Sequence, residues 1–460
     1  MSATFAAVDP STRREFASVH ESSPQEVAAA VAGARAAFTG VREWRVPARR
    51  AAALTAIARA IAAHAAELAE LECQDTGKPL AQARADVDVT VRYFDYYAGA
   101  ADKLLGQSIP LGPDLVDFTV REPWGVCGQV IPWNYPMQVL ARCAAPALAA
   151  GNAVVVKPSE LGSVTPRRVA ELALESGLPA GLLTVVTGHG ETGAALVGDP
   201  GVDHVTFVGS AAVGRVVAQA CAQRLAPVQL ELGGKSPQIV FDDADLERAA
   251  PVIVKALIQN AGQSCSAGTR LLVHRSCHDA LVDLVVEQLR SLDIGPGGDD
   301  PDLGPLISQR QLERAERMVA DAVRGGAQLA LGGGRPAGLE DGWFLEPTVL
   351  TDVRPGEEIF EEEVFGPVLA VSAFDDEDEA VTLANATPYG LVASVWTRDV
   401  SRALRVCGAV QAGQLYVNGY GVAGGVELPF GGMRGSGFGR GKGMEAMLSY
   451  SQVKNVCVVL

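Results

Sequence analysis

No apolar stretch of this 460-residue chain is long and uninterrupted enough to span a bilayer, because the longest carry Arg142 or Asn152 and break at prolines. Residues 1–10 contain no basic region followed by an apolar one, so no secretory signal is expected. No two of the eight cysteines form a CxxC pair and no histidine stands at metal-ligand spacing, so no metal is expected. Scattered cysteines in a long chain read as reduced thiols of a cytoplasmic protein, most of them small buried hydrophobes. Basic residues are the minority, 38 Lys and Arg against 54 Asp and Glu, and the net charge of −16 is spread along the chain. Such a surface repels phosphate backbones, so neither nucleic acid nor membrane is an expected partner. A local basic residue can still receive a small anion. Repeats of solenoid length are absent too.

What is present is the profile of a globular protein, 48% hydrophobic and 20% charged, on a chain long enough for two or three domains. Apolar spacing predicts helices over 24–38 and 47–75 and a helix-leaning stretch over 79–105. Short apolar runs then alternate with helical segments at 128–132, 153–157, 182–187, 204–208 and 228–232. Alternation of this kind predicts a parallel, doubly wound α/β sheet. A second series, at 238–241, 270–274, 368–374 and 414–418, suggests a second α/β domain. Residues 295–298 read as a surface loop. The extended segment 106–121 and the terminal strand 454–460 are unpartnered edges. Pairing with another subunit is placed slightly ahead of pairing with each other.

Five segments carry candidate chemistry. In Asn260-Ala-Gly-Gln-Ser-Cys265-Ser, small neighbours would let a substrate carbon approach the sulfur, although a lone cysteine is more often inert and buried. Glu231-Leu-Gly-Gly-Lys-Ser-Pro237 puts a carboxylate at a strand end, suited to activating water or to plain exposure at the surface. Asn134, in Ile131-Pro-Trp-Asn-Tyr-Pro136, lies between two prolines as an oxyanion donor or an ordinary Asx turn. Lys157 and Glu160, in Val154-Val-Val-Lys-Pro-Ser-Glu160, close a strand where open α/β sheets bind ribose. Phe207-Val-Gly-Ser-Ala-Ala-Val-Gly214 offers a helix N-terminus to a pyrophosphate without being GxGxxG.

Together, in this order, the five segments resemble the aldehyde dehydrogenase superfamily. Glu363-Val-Phe-Gly-Pro367, Tyr416-Val-Asn418 and Pro429-Phe-Gly-Gly-Met-Arg-Gly-Ser-Gly-Phe-Gly-Arg440 extend the resemblance from about residue 8 to the C-terminus. It implies α/β architecture with a Rossmann-like cofactor domain (1–103 and 124–233), a catalytic domain (234–430) and a small strand-built oligomerisation arm (104–123 and 444–460). It implies Cys265 as nucleophile, Asn134 with the Cys265 N–H as oxyanion hole, and Glu231 as base for hydrolysing a thioester. The resemblance places the cofactor, NAD with NADP as the alternative, against Trp133, Lys157, Glu160, Gly190, Ser210, Leu232, Glu363 and Phe365. Substrate walls fall to Tyr135, Gln138, Arg142, Ser264, Val422, Gly424 and Phe430. The implied partners are a small-molecule aldehyde and further copies of the chain, as a homodimer or homotetramer.

Three departures bear on the chemistry. Cys143 stands where the family often has a lysine, Val208 where a phosphate-turn threonine is frequent, and Gly441 where a glutamate is common. Arg142 falls where semialdehyde-oxidising relatives carry an arginine that grips the far carboxylate, suited by its planar fork. Against that stand a structural salt bridge or a subunit contact, the blander roles for the same residue; with Gly424 suggesting a roomy channel, the expected substrate is a semialdehyde or a larger aldehyde. An acylating enzyme that passes its thioester to coenzyme A, and a non-catalytic protein on the same scaffold, are the rival readings. Glu231 speaks against the first, and the joint presence of Cys265, Glu231 and Asn134 against the second.

Overall fold

The computed structural model describes residues 3–421 and 425–460. Val422 and Gly424, two of the expected substrate-wall positions, lie outside the described residues. Among the described residues the architecture is mixed α/β, with two open, mainly parallel sheets as its frame. Strands Val126–Ile131, Ala153–Pro158, Leu183–Val185, His204–Val208 and Val228–Glu231 form the first sheet, with Val126–Ile131 at its centre. Their apolar runs are buried on both faces, as a sheet covered by helices on either side demands. The chain runs outward from the central strand on one side, then returns to the other, which creates a switch point beside Val126–Ile131.

The second sheet contains Pro237–Val240, Arg270–His274, Thr348–Thr351, Val368–Phe374, Val392–Trp396 and Gln414–Val417 in parallel, with Gln328–Leu331 antiparallel at one edge. Glu231 ends a strand of the first sheet and Pro237 begins one of the second. The intervening Gly-Gly turn is a packing requirement. A Cβ on Gly233 would come within 2.3 Å of Glu363 Oε2, and one on Gly234 within 2.6 Å of the Cys265 carbonyl. Two sequence-distant motifs therefore meet because two glycines let them.

Ahead of the sheets lie helices Pro24–Gly40, Pro47–Ala63, Ala65–Thr76 and Leu80–Ala100. The first is closed by a capping box between Ser23 and Glu26. None of the described helices is by itself long and apolar enough to cross a membrane. The N-terminal hairpin Thr4–Asp9 with Arg14–His20 was not legible in the sequence.

Two expectations are corrected. The terminal strand Ser451–Val459 pairs antiparallel with Leu115–Pro123 of the same chain, so subunit pairing is not what satisfies this edge. Only the outer edge of Ser451–Val459 stays open among the described residues. Residues 295–298 are not a free surface loop, since Gly297 is buried and a Cβ there would meet the Lys78 carbonyl at 2.4 Å. Gly437–Phe438 adds an antiparallel strand beside Glu231.

Candidate active site

Cys265 lies in a turn between helix Leu246–Ile258 and strand Arg270–His274, half-buried beside the Gly233-Gly234 connection between the two sheets. The approach to it is strained. Asn260, Ala261 and Gly262 are all left-handed, with φ of 51°, 54° and 73°. For the two non-glycine residues this costs on the order of 1–3 kcal/mol each, so the surroundings must hold them. They do: Asn260 N–H donates to Gln82 Oε1 (2.9 Å), Gln263 Nε2 donates to the Asn260 carbonyl (3.1 Å), and Ile307 N–H donates to Gln263 Oε1 (2.9 Å).

Asn134 is buried beside this turn and donates one Nδ2–H to the Gln263 carbonyl at 2.9 Å. Its own carbonyl accepts from Asn260 Nδ2 (2.8 Å) and from Lys78 Nζ (3.1 Å). Lys78 is itself buried, donating to Glu72 Oε1 (3.0 Å) and Asp86 Oδ2 (2.5 Å). Gln138, expected on the substrate wall, is half-buried and donates to Asp86 Oδ1 at 3.1 Å. The oxyanion loop thus rests on a buried, satisfied ionic network.

The opposite side differs. Glu231 is buried, and burial pushes its carboxyl up to about 7 against the pull of Arg142 and a hydrogen bond from Gln229. Gln229 Nε2 donates to Glu231 Oε1 at 3.2 Å, while Oε2 has no partner among the described residues. Arg142 is buried with Nε and Nη2 also unpartnered. Its guanidinium lies 5.4 Å from the Phe430 ring centroid, and Lys442 Nζ lies 5.1 Å from the same ring. Burial, then the neighbouring Arg142, pulls the Lys442 ammonium down to about 8. Phe430 belongs to an apolar cluster with Leu391 and Val392, against which Cys265 packs.

Burial also pushes the Cys265 thiol up to about 11, with Arg142 the strongest opposing influence. Burial therefore favours the neutral thiol in the ligand-free site. What distinguishes Cys265 from buried Cys73, Cys127, Cys143, Cys221 and Cys277 is access.

Trp133, Glu160, Gly190, Ser210 and Leu232 follow strands of the first sheet and Lys157 lies at the end of one, while Glu363 and Phe365 precede strand Val368–Phe374 of the second. Lys157 Nζ stands 3.7 Å from Glu160 Oε2, longer than a hydrogen bond, and leaves ammonium donors for a ligand. Ser210 caps helix Ala211–Gln223, its Oγ accepting from Val213 N–H at 3.4 Å. Gly190 opens helix Gly190–Gly198, with no atom within 4 Å of where a Cβ would sit. Leu232 is buried against Gly214, where a Cβ would meet its Cδ2 at 2.6 Å. Trp133 and Phe365 meet edge to face at 5.3 Å. Glu363 Oε1 accepts from Gly234 N–H at 3.0 Å, and burial raises this carboxyl to about 7. Two helix N-termini, a buried ammonium and this open space fit a dinucleotide.

Tyr135 is half-buried, its ring 4.6 Å from Lys78 Nζ, and Ser264 Oγ is 3.1 Å from Ser266 Oγ. Sequence reasoning missed Lys78, Gln229, Asn260 and Lys442. Lys78 follows a left-handed Gly77 and Lys442 follows Gly441, but neither local pattern signals a site.

The family model described as "Aldehyde dehydrogenase family" matches residues 1–456. An aldehyde dehydrogenase of Emericella nidulans is 40% identical over 98% of this chain and 91% of its own. A betaine aldehyde dehydrogenase of Cereibacter sphaeroides is 43% identical over 98% of this chain and 92% of its own. The crystal structure of an NAD-dependent aldehyde dehydrogenase from Sinorhizobium meliloti is similar at TM-score 0.97 and 40% identity, covering 100% of this chain and 92% of that one. The NAD+ complex of an aldehyde dehydrogenase from Bacillus cereus gives TM-score 0.97 and 38% identity, covering 100% and 94%.

Proposed function

The chain belongs to the aldehyde dehydrogenase family, and from that premise we propose that it oxidises an aldehyde to the carboxylic acid through a covalent intermediate on Cys265, with NAD as hydride acceptor. Cys265 gives up its thiol proton to water, and Sγ attacks the carbonyl carbon. The developing oxyanion is received by the Asn134 amide proton not given to Gln263 and by the Cys265 N–H, which makes no hydrogen bond among the described residues. Bound NAD would supply the hydride acceptor, and loss of hydride from the Cys265 adduct would leave a thioester on this sulfur. Glu231 then removes a proton from water through Oε2, and the resulting attack releases the acid and restores the thiol. The observation that carries hydrolysis, rather than transfer to coenzyme A, is this buried carboxylate oxygen with no protein partner.

The division of labour follows the chain: 1–103 and 124–233 bind the dinucleotide, 234–430 carry the thiol, and 104–123 with 444–460 form the assembly arm. The open edge of Ser451–Val459, where Val453, Val458 and Val459 are exposed, supports a homodimer or homotetramer. Glu160, beside Lys157, suits a free ribose hydroxyl and repels a 2′-phosphate, which favours NAD over NADP.

For the substrate, the unpartnered Arg142 nitrogens favour an aldehyde bearing a carboxylate at its far end, such as a semialdehyde. A quaternary ammonium substrate, which the name of the Cereibacter relative implies for that enzyme, fits poorly here. The rings that would receive it already face the chain's own cations: Tyr135 faces Lys78, and Phe430 faces Arg142 and Lys442. The test compares succinic semialdehyde, butanal and betaine aldehyde on wild type and Arg142→Ala. The variant should lose about 2–5 kcal/mol of transition-state binding on the semialdehyde alone, as for truncating one partner of a buried charge pair. Equal losses on semialdehyde and butanal would assign Arg142 to structure, and no oxidation of any of the three by wild type would send the search to other aldehydes.

A further inference from the structure

We propose that Gln229 is the positioning residue of the hydrolytic base, pinning one oxygen of Glu231 so that only the other meets water. This rests on the reading of Glu231 as that base. Residues 229 and 231 are two apart on strand Val228–Glu231 and so project to the same face. Both are buried, and Gln229 Nε2 donates to Glu231 Oε1 at 3.2 Å.

Gln229 is clamped in turn. Gly439, left-handed at φ 95°, lies so close that a Cβ there would come within 2.6 Å of Gln229 Cγ. Ser449 Oγ stands 3.3 Å from the amide oxygen of Gln229. The strand Gly437–Phe438 carries Gly439 into this position by pairing with Leu230 and Glu231.

No other uncharged side chain among the described residues hydrogen-bonds the carboxylate. At Gly441, where the family commonly has a glutamate, a Cβ would lie 3.4 Å from Glu231 Oε1, in ordinary contact with no carboxylate behind it. Cys143 replaces the other expected polar neighbour, and burial raises its thiol to about 11, which keeps it neutral. The groups that face Glu231 electrostatically are Arg142 and Cys143 on helix Pro136–Ala149, Tyr93 on Leu80–Ala100, Cys265, and Arg440 with Lys442 on the C-terminal segment. All the cations among them attract the carboxylate from a distance. Gln229 contributes direction: a donor fixed on Oε1 leaves Oε2 as the acceptor for water, and by favouring the ionised form it keeps the base usable near neutral pH.

The experiment is the pH profile of kcat, together with single-turnover NADH formation, for wild type, Gln229→Leu, Glu231→Gln and the double variant. In wild type kcat should rise as pH passes about 7, where Glu231 ionises. Gln229→Leu should keep the first-turnover burst, lower kcat by about 3- to 10-fold as for a lost hydrogen bond, and move the rising limb to higher pH. In the Glu231→Gln background the same change should have almost no further effect, because the clamped group is gone. A Gln229→Leu profile that superimposes on wild type, or an equal and additive loss in the double variant, overturns the positioning role. Should the leucine variant fold poorly, Gln229→Met, which keeps the stem volume, carries the same readout and the same two outcomes. An undiminished Glu231→Gln enzyme would instead overturn the assignment of the base itself.

Discussion

Cys265 lies between two walls built on opposite plans. On the Asn134 side, Lys78, Glu72, Asp86, Gln138, Asn260 and Gln263 pair with one another and with backbone carbonyls at 2.5–3.1 Å. On the Glu231 side, one carboxylate oxygen and two guanidinium nitrogens are buried with no partner among the described residues. On the proposed mechanism the first wall holds a donor where charge will develop, and a satisfied network costs no reorganisation at that moment. The second keeps polar groups free for water and substrate, at the expense of desolvating them. Stability and reactivity have been assigned to different sides of one sulfur.

Removing the sulfur gives the largest effect. Cys265→Ala should abolish aldehyde oxidation on either plan while leaving dinucleotide binding intact, measured by quenching of protein fluorescence. Substantial residual oxidation would show that the two walls do not converge on this residue.

The contrast itself is sharpened by removing one cation from each wall. Lys78→Met strands two buried carboxylates and should cost about 3–5 kcal/mol of stability, as for breaking a buried ion pair. Arg142→Met replaces unpartnered nitrogens by an apolar side chain and should shift stability by less than about 1 kcal/mol. Denaturant melts of the two variants report the difference, and similar losses would erase it. The smallest effect lies farther out, in the dinucleotide groove. Glu160→Ser removes a carboxylate that is about one-third exposed, so the preference for NAD over NADP should narrow by only a few-fold in kcat/KM. A widened preference would assign Glu160 another role.

The two plans also differ in how far the sequence discloses them. Cys265, Glu231 and Asn134 sit in motifs whose glycines and prolines mark tight turns, and the strands that lead into Glu231 and the Asn134 loop follow from apolar runs typical of buried parallel sheet. Lys78 could not be read that way, because its tie to the Asn134 carbonyl spans 56 residues and its carboxylate partners Glu72 and Asp86 lie on two helices whose packing the local pattern does not disclose. Gln229 and Ser449 are as remote from each other, and Lys442 gains its meaning only from the ring it shares with Arg142. The pairing of Ser451–Val459 with Leu115–Pro123 was misjudged because an edge strand's partner is not encoded in its own alternation. Burial was equally hidden for Gly297, whose neighbours are polar and acidic in sequence yet which packs against the carbonyls of Gly77 and Lys78.

The central claim is that the two walls serve successive half-reactions, acylation on the Asn134 side and hydrolysis on the Glu231 side. Rapid mixing of Glu231→Gln with NAD and aldehyde tests it most directly. The account predicts a burst of one NADH per active site at close to the wild-type rate, followed by turnover slowed about 10²- to 10⁴-fold by loss of the general base. A variant that shows no burst, or that turns over at the wild-type rate, would contradict it.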